Sequence, residues 1–380
     1  MKHLAQIVAL VAVALSLSCS NQTTMRDTEP IYTPRYAKGF SIERDKASRA
    51  KLLCIKNPWQ GAEGVTFYTE IDTLAPAKRI VAMSSSHAAM LDAVSCADRI
   101  VGLSGCQFIY SPTLCKAIAE GKISEVGYDS NFNFEKICAL NADIVLLYGV
   151  AGEAKGMTNK LDELRIPYIY IGDYLEADPL GKAEWVVALA SLCGVEEQGK
   201  AFFAKVEERY NTLREQTSKN KKYPRVMLNL PYRDTWFMPP HNSYIVRLIE
   251  DAGGEYILTE SGKRKTENEE QKAENENLST KSTPISLEEA LVLASKADFW
   301  INLGQIATIE ELTATVPRFA KVGAVQQGRL YNNTKRTNAS RGSDFWESGA
   351  VRPDLILEDL VNIFHHEAPT DSLHYYKKLE

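Results

Sequence analysis

Asn133-Phe134-Glu135-Lys136-Ile137-Cys138-Ala139-Leu140-Asn141-Ala142-Asp143-Ile144-Val145-Leu146-Leu147 decides the fold, because the chain repeats its plan later. A polar residue opens a short helix, and the helix leads into a short apolar strand. Ser286-Leu287-Glu288 opens a second such helix, leading into Asp298-Phe299-Trp300-Ile301-Asn302-Leu303. With Asn133 and Ser286 as N-caps, Glu135 and Glu288 both fall at the second helical position, where exposed amides and the helix dipole favour a carboxylate. Glu289, three residues past Ser286, closes a capping box and leaves Glu288 free to point outward. A single acid at a helix start is explained by helix stability alone. Recurrence in both halves weakens that explanation, since a protein that sits across a two-fold symmetric partner needs one anionic contact per half.

Around this unit the chain alternates strands with helices after Pro76. Arg79–Met83, Ile100–Leu103, Asp143–Leu147 and Tyr168–Gly172 are short apolar runs separated by helical lengths, which predicts a parallel sheet covered by helices. Residues 181–220 carry a helical pattern interrupted near Gly194. A second α/β series follows, with strands at Arg225–Leu230, Asp298–Leu303 and Arg329–Tyr331 and a closing helix over Pro353–His365. The expected organisation is an N-terminal lobe over 76–180, a bridging helix region over 181–220, a C-terminal lobe over 221–368 and a tail over 369–380. Before these, 37–75 reads as a small β-rich extension, with Leu52-Leu53-Cys54-Ile55 and Val65-Thr66-Phe67-Tyr68 as its strands. Within the C-terminal lobe, residues 261–283 hold five basic and five acidic side chains with almost nothing apolar, which predicts a mobile surface loop.

The N-terminus has Lys2, an apolar run from Leu4 to Leu17, and Leu15-Ser16-Leu17-Ser18-Cys19. The run is too short to span a bilayer and has the layout of a secretory signal, so 1–18 is excluded from the fold. Cys19 is the expected lipidation site, and 19–36 the tether behind it. Ser20 offers no aspartate at the position associated with inner-membrane retention, which points to a periplasmic location on the outer membrane. The formal net charge is −5 with signs mixed throughout, which argues against a nucleic-acid partner. The cysteines beyond Cys19 are spaced too irregularly for a zinc ribbon or redox pair; export permits a disulfide, Cys106 and Cys115 are the closest pair, and connectivity stays open.

Arg79-Ile80-Val81-Ala82-Met83-Ser84, Asp98-Arg99-Ile100-Val101-Gly102, the Asn133-Phe134-Glu135…Asn141-Ala142-Asp143-Ile144-Val145 unit and Ser286-Leu287-Glu288 together resemble the iron-siderophore and vitamin B12 periplasmic-binding proteins. The resemblance covers roughly 76–366. Asp344-Phe345-Trp346-Glu347-Ser348-Gly349 with Arg352-Pro353-Asp354-Leu355 looks like the lipoprotein members of Bacteroides-type bacteria. It implies an α/β, class III architecture: two parallel-sheet lobes bridged by a long α-helix, with ligand in the cleft and little hinge closure. It also implies that Glu135 and Glu288 engage arginines of an ABC permease, that ATPase subunits and an outer-membrane receptor system complete the route, and that the chain acts as a monomer without resident cofactor. The iron or cobalt of the chelate is cargo. One departure is Ala88-Ala89, where many relatives carry Thr-Glu.

Ligands of open α/β sheets lie outside the carboxyl ends of the strands. The candidate cleft residues are therefore Ser84, Ser85 and His87 after the first strand, Tyr110 after the second, and Tyr128 before the first glutamate unit. From the second lobe come Trp236, His241 and Tyr244 around Pro239-Pro240, and Arg336 and Arg341 before Trp346. Aromatic rings suit a macrocycle or catecholate, and arginine suits an anionic chelate. His87 and His241 are candidate axial ligands to iron or cobalt, set against the plainer reading of satisfied structural histidines. Capture of a bare zinc or manganese ion fits poorly with an inventory of six histidines, of which His365 and His366 point to different faces of one helix. The rival class is an exported tetrapyrrole enzyme of chelatase type; Ser84-Ser85-Ser86 lacks the Gly-x-Ser-x-Gly elbow and no acid–base pair stands at a motif spacing. A scavenging lipoprotein without an importer is a third reading.

Overall fold

The computed structural model describes residues 26–71, 76–128, 131–150, 152–219, 223–258 and 282–380. The expected signal over 1–18, Cys19 and residues 259–281 of the expected charged loop lie outside the described residues. Among the described residues no helix is long and apolar enough to cross a membrane.

Four antiparallel strands form the extension: β1 (Thr28–Tyr32), β2 (Phe40–Asp45), β3 (Lys51–Lys56) and β4 (Thr66–Glu70). β1 falls inside the stretch expected to be a tether. Its placement follows from hydrogen bonding: Glu184 accepts from the Tyr32 hydroxyl at 2.6 Å and from the amides of Arg35, Tyr36 and Ala37 at 2.8–2.9 Å. A buried carboxylate with four donors holds the chain just after β1 against the body of the protein.

The N-terminal lobe contains β5 (Ile80–Ala82), α1 (Ser85–Ala93), β6 (Ile100–Leu103), α2 (Pro112–Ala119), β7 (Ser124–Glu125), α3 (Phe134–Ala139), β8 (Ile144–Leu147), α4 (Lys155–Glu163) and β9 (Tyr168–Tyr170). Its strands are parallel in the order β7-β6-β5-β8-β9, so the winding reverses at β5. β5 and β8 are buried throughout, as strands covered on both faces must be.

The bridge is α5 (Pro179–Leu192) and α6 (Glu196–Thr217), broken at Gly194, whose φ of +68° ends the first helix in the left-handed region. α5 is buried almost all round, with Trp185 fully enclosed and its indole donating to Glu176 at 3.1 Å.

The C-terminal lobe holds β10 (Arg225–Leu228), β11 (Thr235–Met238), α7 (Tyr244–Asp251), β12 (Glu255–Tyr256), β13 (Thr283–Ser286), α8 (Leu287–Ala294), β14 (Phe299–Ile301), α9 (Ile309–Thr315), α10 (Gly323–Gln326), β15 (Leu330–Asn332), α11 (Pro353–His366) and β16 (Lys377–Lys378). Its sheet runs β12-β10-β14-β15-β16, parallel except for β16. Thr283, placed in the charged loop by its neighbours, instead begins β13, which pairs with β11. The expected tail is also built in, because Asp359 accepts the amides of His374, Tyr375 and Tyr376 at 2.6, 2.6 and 3.0 Å and draws Tyr375 and Tyr376 into the core.

The two lobes share a further detail. Asp143 accepts the amides of Lys78 and Arg79 ahead of β5 at 2.8 and 2.9 Å, and Asp298 accepts that of Arg225 at the head of β10 at 2.8 Å. In each case the aspartate stands just before the neighbouring strand and satisfies amides that the ladder leaves open.

Candidate functional site

The carboxyl end of β5 is the point where strand order reverses, and a cavity of about 210 Å³ lies there. From the N-terminal lobe it is lined by Ser84–His87, by Tyr148 and Val150 after β8, and by Asp173 and Tyr174 after β9. Lys182 enters from the bridge. Tyr244, Phe345, Trp346 and Ala350 close it from the C-terminal lobe. A hollow of about 390 Å³ lined by Lys51 and Gly194–Gln198 sits at the turn of the bridge, away from the strand-end loops, and its Lys51 is paired with Glu196 at 2.6 Å.

Local structure fixes each of these groups. Ser84 caps α1, its hydroxyl accepting from the Ser86 amide at 3.3 Å and lying 3.0 Å from the Ser86 hydroxyl. His87, three residues on, is fully buried, and neither ring nitrogen has a hydrogen-bond partner. Its Nε2 is 3.7 Å from Asp173 Oδ1, too long for a hydrogen bond. Burial lowers its pKa to about 4, the pull of Asp173 notwithstanding, so the ring is neutral near pH 7. Lys182 takes up the Asp173 charge instead, Nζ to Oδ2 at 2.7 Å. Burial works to raise the Asp173 carboxyl, and Lys182 followed by His87 outweighs it and leaves the group below its ordinary value. The Lys182 ammonium also stands 6.0 Å from the centre of the Tyr244 ring.

Of the candidate residues, the structure brings Ser84, Ser85, His87 and Tyr244 together at this cavity. Trp236 is elsewhere: it is fully buried in β11 against Trp300 and Phe319, with its indole donating to Leu228 O at 2.9 Å. The aromatic that looked like a loop contact is a core residue of the C-terminal lobe. His241 packs edge-on to Tyr256 and does not line the cavity. Tyr128 is exposed, with its ring 5.1 Å from that of Phe108. Arg341 is exposed at a loop tip with φ of +67°.

Tyr110 and Arg336 belong to a direct contact between the lobes. Glu347 accepts the amides of Tyr110 and Ser111 at 2.7 and 2.8 Å, and Asn338 donates to the carbonyls of Gln107 and Ile109 at 3.0 and 2.9 Å. Arg336, held by Asp344 at 2.5 Å, lies 4.9 Å from the Tyr110 ring centre. The approach is so close that a Cβ on Gly342 would come within 1.8 Å of Phe108 O. Burial, despite those two amides, pushes the Glu347 carboxyl up to about 7.

Asn133 and Ser286 are N-caps, accepting from the Lys136 amide at 2.9 Å and the Glu289 amide at 3.1 Å. Glu135 and Glu288 accordingly stand at the second position of α3 and α8, and both are exposed. Glu288 pairs with Arg318 at 2.8 Å, with both side chains largely in solvent. The six described cysteines are free; Cys106 and Cys115 donate to the carbonyls of Leu103 and Ile109 at 3.6 and 3.3 Å.

Lys182, Asp173 and Glu347 were not among the candidates. A signal for the first was available: Lys182 and Glu184 are the only charged residues in the otherwise apolar stretch Pro179–Leu192, and charges on a buried helix need partners.

A family model described as periplasmic binding protein matches residues 80–337. An uncharacterised lipoprotein of Methanocaldococcus jannaschii is 29% identical over 303 residues, which are 77% of this chain and 66% of that protein. The chain thus spans slightly less than two thirds of that relative. Among solved structures, a periplasmic haem-binding protein from Pseudomonas aeruginosa matches with a TM-score of 0.57 at 17% identity, over 80% of this chain and 98% of that one. The periplasmic vitamin B12-binding protein of Vibrio cholerae gives 0.53 at 18% identity over 76% and 97%. These last likenesses bear on fold, and the family match runs from the first strand of one lobe past β15 of the other. The chain belongs to the periplasmic binding protein family, in the class whose two lobes are joined by a helical backbone.

Proposed function

We propose that this chain is the substrate-binding lipoprotein of an ABC importer, taking a metal chelate of the ferric siderophore, haem or cobalamin class into the cleft and presenting it to the permease. The observation that carries the reading is the matched pair of exposed carboxylates, Glu135 and Glu288, at equivalent helix starts in the two lobes of a periplasmic binding protein. Arginines on a two-fold permease would meet one carboxylate each; at α8 they would exchange with Arg318, an exposed pair that contributes little to stability. The lipoprotein name of the M. jannaschii relative supports Cys19 as the anchor. The solved structures titled haem- and vitamin B12-binding support the ligand class.

The test is Glu135→Ala with Glu288→Ala in cells that depend on the importer. Uptake is expected to fall to background while the purified double variant keeps its chelate affinity. Uptake at the normal rate in the double variant would remove the docking assignment.

A further inference from the structure

The cavity at β5 has more donors than the protein uses. The Lys182 ammonium carries three N–H groups, and among the described residues it donates only to Asp173. It lines the cavity together with Ser84–Ser86 at the start of α1, where the helix leaves first-turn amides without intrahelical acceptors. His87 lines the same cavity, wholly buried, with both ring nitrogens unpartnered. Buried polar groups are nearly always hydrogen-bonded, so the spare Lys182 N–H groups and the unpartnered imidazole, which when neutral offers one donor and one acceptor, point to a polar ligand that supplies acceptors. The charges agree: Lys182 and Asp173 cancel, the imidazole is neutral, and the helix end leaves a net positive partial charge.

Size narrows the choice. About 210 Å³ is below the roughly 300–1,000 Å³ that holds a drug-sized ligand. With the lobes as they stand, the cavity is too small for a macrocycle.

We propose that Lys182 is a specificity-determining residue of this site, and that the cargo is a compact chelate with an oxyanion edge, of the hydroxycarboxylate kind, seated on Lys182 and the α1 terminus. This rests on the chelate-binding reading above and narrows it.

The soluble body is titrated, with tryptophan fluorescence and calorimetry as readouts, against four probes: ferric citrate, citrate without iron, the neutral ferric tris(acetohydroxamate), and haem. Ferric citrate is expected to bind best. In Lys182→Met the ratio of its affinity to that of the neutral chelate is expected to fall about ten- to a hundred-fold, the usual size of a lost charge-assisted bond. Because Lys182→Met leaves Asp173 buried and unpaired, Lys182→Met with Asp173→Asn is measured alongside; it removes both charges and is expected to show the same loss of selectivity, while Lys182→Arg retains it. Tight haem binding that is indifferent to Lys182 overturns the inference and leaves the chelate reading standing. Citrate binding equally well with and without iron supports the oxyanion contact and sinks the chelate reading. Failure of all four probes to bind overturns the inference.

Discussion

An imidazole buried without a hydrogen bond costs free energy in either protonation state, and His87 is buried with both nitrogens open. It stays neutral because burial strips the charged form of its hydration, and Asp173, already paired with Lys182, does not pull hard enough to offset that. The unfolded chain takes up that proton near the ordinary value of about 6.5. The folded protein does so only near 4, so stability is lost as pH falls from about 6.5 toward 4, by up to about 3 kcal/mol. Urea unfolding of wild type and His87→Gln at pH 7, 5.5 and 4 checks this, since other acids titrate in both proteins and cancel in the difference. The variant is expected to lose less stability on acidification; parallel curves would show that His87 carries no such linkage. At this scale the sequence was legible where a residue follows a strand end, as Ser84, Ser85 and His87 do. It was not legible for Trp236, because Pro239-Pro240 reads as a loop whereas the preceding residues form a strand whose partner, β13, lies past residues 259–281. Such non-local pairing leaves no mark in the local pattern.

Secondary structure was clearest where apolar runs are bounded by turn residues. β5, β6, β8, β9, β10 and β14 all fall within the expected strands, β15 overruns its expected end by one residue at Asn332, and the break at Gly194 divides the bridge as read. The elements that were not legible are short and held by side chains distant in sequence. β1 and the segment after it depend on Glu184, about 150 residues away, and β16 depends on Asp359. Glu184→Ala removes the acceptor for one hydroxyl and three backbone amides and strands them in a largely buried seam. A loss of about 2–4 kcal/mol is expected, on the scale of hydrogen bonds to a charged group. Limited proteolysis should then release the chain before Phe40 at low protease levels that spare wild type. Equal resistance would mean that strand pairing of β1 with β2 is enough to hold it.

Across the whole molecule, the described contacts between the lobes include the bridge and, second, the Glu347 and Asn338 hydrogen bonds, alongside the Phe345, Trp346 and Ala350 side chains that line the cavity. Within the bridge, α5 is buried almost all round by apolar side chains. The second contact is polar and small, so it is the part of the interface able to open for a ligand. Glu347 is a costly latch. Its carboxyl is raised to about 7 by burial, with Asp344 and Asp92 adding to the effect, so the folded protein holds a proton that the unfolded chain has already lost. Stability therefore declines as pH rises from about 4.5 to 7, the opposite direction to His87. Glu347→Ala is expected to flatten that decline and to free the Tyr110 and Ser111 amides. Hydrogen exchange at those two amides should speed up at least ten-fold, while amides within β5 and β8 keep their protection, because the sheet of the N-terminal lobe does not depend on the contact. If exchange at Tyr110 and Ser111 stays slow in the variant, the lobes are held together there by Asn338 and the Gly342–Phe108 approach, and Glu347 is not the latch.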